Sequence, residues 1–175
     1  MRLKKFFPLI GTAVIFGFGT VLYMAYPLSD RAAWSYIVSS VNFSAWELYK
    51  PFGYSYIFFI IIELSYLRPV LLKFLGAKLI GMYVLCAAIL SGAMLCRFFP
   101  VDVPVSQLTA AASGVILAQI VGYRLYASNF KTDYLIIPLI VSLCVMIFLL
   151  IMLSFYPPHW GIFYDFYSGG FGRYV

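Results

Sequence analysis

The sequence predicts an all-α polytopic integral membrane protein. The expected fold is a bundle of about five transmembrane helices, with the N-terminus inside and the C-terminal tail outside. Three observations lead there. First, 64% of the 175 residues are hydrophobic and only 10% are charged. A soluble domain carries roughly 25% charged residues, so this chain could not cover a water-facing surface. Second, apolar runs near 20 residues recur along the chain, the length needed to cross a bilayer. Third, aromatics make up 20%, with 15 Tyr and 17 Phe. Tyr and Trp gather where one side of the ring is wet and the other apolar. The length allows one domain, residues 1–175.

The first run, about 6–26, follows Arg2, Lys4 and Lys5. It is too long for a signal peptide core and has no clear small-residue cleavage site, so an uncleaved first helix is expected. The second run, about 52–67, stops at Arg68 and Pro69. The third, about 79–96, stops at Arg97 and Pro100. The fourth covers about 105–126. The fifth covers about 134–155 and stops at Pro157 and Pro158. Between the first two runs lies a polar outer loop, 27–51. After the last comes a Gly- and aromatic-rich outer tail, 156–175.

Orientation follows from Lys and Arg in the short loops. With the N-terminus inside, Arg2, Lys4, Lys5, Arg68, Lys73, Lys78, Arg124 and Lys131 fall inside, and Arg31, Lys50, Arg97 and Arg173 outside. A membrane dip by 32–41 would make the span number even and break this arrangement. With five spans, the loop and the tail emerge on the same face. The net charge of +6 is scattered singly at span ends, which signals topology and not a phosphate-tracking groove. No nucleic-acid partner is expected.

Four constellations carry candidate chemistry. In the loop, Ser44 followed by Glu47 fits a capping box, with the helix running on through Pro51 with a kink. Asn42, Glu47 and Lys50 could line a polar pocket, and Glu47 and Lys50, three residues apart, can pair on one helix face. The bland reading makes Trp46 and Tyr49 interfacial anchors.

Glu63 is a carboxylate about 18 Å along the second span, at 1.5 Å per residue. Such a group is a functional candidate by default. Otherwise it snorkels, or pairs with Lys73 or Lys78. In the fourth span Gln107 stands with Gln119, Tyr123 and Arg124, and Gln119 is expected to hydrogen-bond to a neighbouring helix. Ala110, Ala111, Ala112 and Gly114 there suit close helix approach.

In the tail, His159 is the one histidine. Asp165, six residues on, could orient its imidazole for general base catalysis. Gly169, Gly170 and Gly172 permit a tight fold-back. Cys86, Cys96 and Cys144 form no CxxC and read as buried apolar residues, Cys96 being the most open to reaction. No metal site and no cofactor are expected.

The run Val41-Asn42-Phe43-Ser44-Ala45-Trp46-Glu47 and the tail Pro157-Pro158-His159 … Phe163 … Asp165 … Gly172 resemble an uncharacterised bacterial membrane protein family, DUF6512. Gln119-Ile120-Val121-Gly122-Tyr123-Arg124 is similar to its fourth-span pattern. The chain departs from it at Phe43, where the family pattern has Glu, at Leu48, where it has His, and at Phe166, where it has Pro. The resemblance implies a shared fold, a shared polar patch and a bacterial plasma membrane, and no activity.

Three function classes fit. The first is a protein that binds a small or lipid-like ligand, as a transport-related or accessory subunit, using Asn42, Trp46, Lys50, Glu63 and Gln119. The second is a membrane-embedded enzyme acting on a lipid-linked substrate at the outer leaflet. There His159 would be the base, Asp165 its orienter and Glu47 a further acid or base, with Lys50 or Arg173 holding a phosphate and Ser44 or Ser168 as nucleophile. The third is a structural partner in a membrane complex, docked through the aromatic tail.

Overall fold

The computed structural model describes residues 3–67, 69–98, 102–128 and 133–171, without the side chains of 3–5 and 133. Arg2, Arg68, Pro100, Lys131, Gly172 and Arg173, and the side chains of Lys4 and Lys5, lie outside the described residues. The fold is all-α. Among the described residues six α-helices follow one another: α1 (Leu3–Leu28), α2 (Ser35–Val38), α3 (Ala45–Leu67), α4 (Leu71–Cys96), α5 (Val103–Ala127) and α6 (Ile136–Phe155), the last preceded by a 3-10 turn at Asp133–Leu135. The tail adds a two-residue antiparallel bridge, Tyr164–Asp165 with Gly170–Phe171.

Among the described residues four helices are long and apolar enough to cross a bilayer: α1 from Phe6, α4, α5 and α6. The fifth long helix, α3, has 23 residues but carries Glu47, Lys50 and Glu63. It takes the centre of the bundle instead. Fourteen of its 23 residues are buried, against two of 20 in α6. Tyr49, Phe52, Tyr56 and Phe59 of α3 form the middle of the core, with Ile15 of α1, Leu85 and Ile89 of α4 and Val115 of α5. The outward face of α6, from Ile137 to Phe155, is the surface a bilayer would cover.

The closest pair is α4 with α5. A Cβ on Gly81 would fall 2.9 Å from Ala118 O, and one on Gly114 would fall 2.7 Å from Ile89 Cγ1. Small residues let these backbones approach, as expected where dispersion rather than water drives association. Ala110, Ala111 and Gly114 are buried at this seam, while Ala112 is only half-buried.

Helix boundaries differ from the apolar runs. α4 starts at Leu71, not near 79, so Lys73 and Lys78 are helical and not loop residues. Each lysine finds a partner that makes this tolerable: Lys73 Nζ donates to Ser128 O at 2.5 Å, and Lys78 is treated below. α3 starts at Ala45, so residues 45–50 are helix and not loop. It continues through Pro51. The segment 32–41 forms only the four-residue α2 and is too short to cross.

Proline also shapes the end of α1. Pro27 has no N–H for Tyr23 O four residues before it. The Ser39 hydroxyl donates to that carbonyl at 3.0 Å and accepts from Tyr26 N at 3.0 Å. This ties the outer loop to α1. Beyond it Asp30 and Arg31 both have positive φ, 52° and 60°, a costly conformation for arginine.

Candidate functional site

The loop 29–44, the tail from Tyr156 and the α4–α5 connection meet at one end of the bundle. Locally, the turn before α3 is built by side chains. Asn42 Oδ1 accepts from Ser44 N at 2.8 Å, and the Ser40 hydroxyl donates to Asn42 O at 2.6 Å. Ser44 Oγ accepts from Glu47 N at 3.3 Å, which is half of a capping box. The other half is replaced: Glu47 Oε2 takes Val41 N at 3.0 Å, because Ser44 N is already held by Asn42.

Glu47 also pairs with Lys50, Nζ to Oε2 at 2.8 Å. Lys50 is fully buried. Its other two donors go to Tyr36 O at 2.8 Å and Ser154 Oγ at 2.7 Å. An ammonium has three donors, and all three are used. This pair joins the loop, α3 and α6.

The tail closes over Trp46. Trp46 N donates to Ile162 O at 3.1 Å, and its ring lies 5.4 Å from that of buried Phe163. Trp46 Nε1 is buried without an acceptor. Asp165 is fully buried. Its Oδ1 accepts from Tyr167 N at 2.8 Å and Ser168 N at 3.4 Å, and its Oδ2 from Phe43 N at 3.0 Å. It therefore shapes the tail's turn and binds the tail to the loop. His159 is exposed. Its ring sits 4.8 Å from Phe171, and among the described residues no hydrogen bond joins it to Asp165. The structure thus brings Asn42, Trp46, Glu47, Lys50 and Asp165 to one end. His159 lies exposed at the surface, while the Asp165 oxygens serve backbone amides.

Sequence reasoning did not single out the residue at the centre, Phe43. Its N–H is held by Asp165, and its carbonyl accepts from Gln107 Nε2 at 2.6 Å. Gln107 Oε1 accepts in turn from Tyr23 Oη at 2.8 Å. Clamped at both peptide groups, Phe43 forms a wall of three neighbouring cavities. One, about 310 Å³, is lined mainly by apolar groups of Tyr23, Met24, Pro27, Val41 and Pro104, with Arg31 and Asn42 beside them. A second, about 300 Å³, holds Cys96, Arg97, Ser106, Gln107 and Asp165. The third, about 340 Å³, lies among Asp102, Pro104 and Tyr167. Arg97 sits 4.2 Å over the Phe166 ring, and Cys96 Sγ contacts Ser106 O at 3.4 Å. The departure from the resembled pattern at 43 was the available signal.

Glu63 and Gln119 lie elsewhere, towards the opposite end, and they meet there. Lys78 Nζ is 2.5 Å from Glu63 Oε2 and donates to Gln119 Oε1 at 3.0 Å. The Glu63 contact is an ion pair by distance, not a well-aligned hydrogen bond. The lysine also lies 5.7 and 6.0 Å from the Phe74 and Phe59 ring centroids. Lys78 had been one of two expected partners for Glu63. Its further bond to Gln119 had no sequence signal.

An all-α bundle with four helices apolar enough to cross a bilayer defines a multi-pass integral membrane protein. The chain matches the family described as "Family of unknown function (DUF6512)" over residues 1–173, and it belongs to that family. No curated protein and no solved structure matches it.

Proposed function

We propose that the protein binds a small or lipid-like ligand at the loop-and-tail end of the bundle, as a transport-related or accessory subunit. The observation that carries this reading is the clamped Phe43 with its cavities. A mainly apolar cavity lies on one side and a polar one, with Arg97 and Gln107, on the other. An amphipathic molecule suits such a pair, since ligand sites combine apolar walls with a few fixed polar groups. The end of a span is also where lipid headgroups lie. The Lys and Arg pattern supports this end as the outer face of a plasma membrane, with α3 as a fifth span. The resemblance favours a bacterial one.

The enzyme reading has less support. His159 and Asp165 do not pair, the Asp165 oxygens are occupied by amides, and Glu47 is held by Lys50. The partner reading draws on the tail, where Trp160 and Tyr167 are 69% and 72% exposed.

Native mass spectrometry of the detergent-purified protein tests the proposal, with identification of what co-purifies. A defined amphiphile retained by wild type and lost in Phe43→Ala and Gln107→Leu is expected. Bulk lipid only, unchanged by either substitution, would sink the reading and turn the search to protein partners.

A further inference from the structure

The apolar cavity beside Phe43 carries a cation in its wall. Its volume is about 310 Å³, and the last turns of α1, the loop 40–43 and Pro104 line it. Three of the polar groups around it are committed to the protein. Tyr23 Oη donates to Gln107 Oε1, Ser40 Oγ donates to Asn42 O, and Asn42 Oδ1 accepts from Ser44 N. Arg31 differs. It is exposed, and among the described residues its guanidinium makes no ion pair and no hydrogen bond. Asp30 precedes it in the chain but does not line the cavity.

The backbone adds a second observation. The turn after α1 holds Arg31 at φ 60°, a region that glycine fills without steric cost. Conformational preference alone would favour glycine there. The neighbouring cavities are also unlike this one. The cavity with Arg97 contains the Asp165 carboxylate. Arg97 is engaged there, its Nε donating to Met94 O at 2.8 Å and its guanidinium lying 4.2 Å over the Phe166 ring. The third cavity contains Asp102. Each of those two carries a carboxylate, so neither suits an anion.

We infer that the ligand of the Phe43 site is a single-chain anionic lipid, with its chain in the apolar cavity and its carboxylate or phosphate head on Arg31. This rests on the reading of that end as a ligand site, and adds the sign of the ligand's charge and the number of its chains. A guanidinium presents a planar fork of N–H donors that matches either head. Apolar walls select the chain. The volume lies at the small end of ligand sites, which suits one chain and not the paired chains of a bilayer phospholipid. The Arg97–Asp165 cavity is left for uncharged polar groups.

The test uses the full chain in phosphatidylcholine nanodiscs, read by native mass spectrometry. The probes are dodecyl phosphate, dodecyltrimethylammonium and inorganic phosphate. Wild type is expected to bind one dodecyl phosphate per chain, saturably, and neither of the others in the same range. Arg31→Gly is expected to weaken that binding by about tenfold or more, the scale of one charge-assisted contact. The thermal midpoint of the unliganded variant should stay level or rise, because glycine fits the turn. Arg31→Gln, which removes the charge and keeps a long polar side chain, should weaken binding alike, and it decides alone if Arg31→Gly folds poorly. Equal or tighter binding of the cationic probe would overturn the inference. So would inorganic phosphate binding as well as dodecyl phosphate, since the chain would then add nothing. Wild-type affinity in Arg31→Gln would overturn it too. Binding that is lost in Phe43→Ala but indifferent to Arg31 and to head charge would keep the broader ligand site and sink this assignment of it.

Discussion

Among the described residues two acid–lysine pairs are buried in this bundle, and their surroundings differ. Glu47 and Lys50 sit three residues apart on α3, and the pair itself is fully used: the ammonium has three acceptors, and the paired carboxylate oxygen also takes a backbone N–H. Glu63 and Lys78 come from different helices, and unmet donors remain beside them. A fully satisfied buried network rigidifies the structure around it, whereas a partly satisfied one leaves chemistry undone. The first pair is a joint. The second is an ion pair between two helices, with a single hydrogen bond, to Gln119, beside it.

The comparison is broken most severely by removing one lysine at a time. Lys50→Met leaves Glu47 charged and buried and releases Tyr36 O and Ser154. A loss of about 3–5 kcal/mol is expected, read from equilibrium unfolding in detergent. Restoring neutrality with Glu47→Gln should recover little, because the links to α2 and α6 stay broken. Lys78→Met should also destabilise, but adding Glu63→Gln should recover most of the loss. A double-mutant cycle measures the difference; equal recovery in both cycles would erase the distinction drawn here.

Asp165→Asn comes next. It removes the charge from three backbone contacts, and about 1–3 kcal/mol of local stability is expected to go. Hydrogen exchange should rise at Phe43, Tyr167 and Ser168 together, since one side chain serves all three. Ser154→Ala removes one of three Lys50 acceptors and should cost about 1 kcal/mol. His159→Ala should stay within about 0.5 kcal/mol, as exposed positions do. A large stability effect there would show that the imidazole is tied into the tail.

Much of this architecture is legible in the sequence. Five helical segments can be read from apolar run length. That the loop and tail share a face follows from an odd number of spans. Helix starts were harder. Lys73 and Lys78 look like loop residues because lysine usually ends a span, and partners such as the Ser128 carbonyl for Lys73 and Glu63 and Gln119 for Lys78 make them bearable inside α4.

The polar end was legible in its residues but not in its bonds. Asp165 meets the N–H of Phe43, and a backbone amide leaves no mark on the side-chain pattern. The six-position spacing from His159 to Asp165 said nothing of their geometry, because the turn at Tyr167–Ser168 claims the carboxylate. Gln107 carried a signal as a polar residue in a span, without indicating that it would hold Phe43.

The polarity of α3 bears on how the chain is made. Ribosomes deliver helices in order, and each is offered to the lipid in turn. A segment carrying Glu47, Lys50 and Glu63 is a poor candidate for release on its own, since one central charge costs about 3 kcal/mol on insertion scales. Its inner carboxylate meets its counter-charge only when Lys78 arrives on α4, after the short connection 68–70. The ion pair with Lys78 thus ties α3 to the next helix made, and the least lipid-like helix becomes the one around which the others gather.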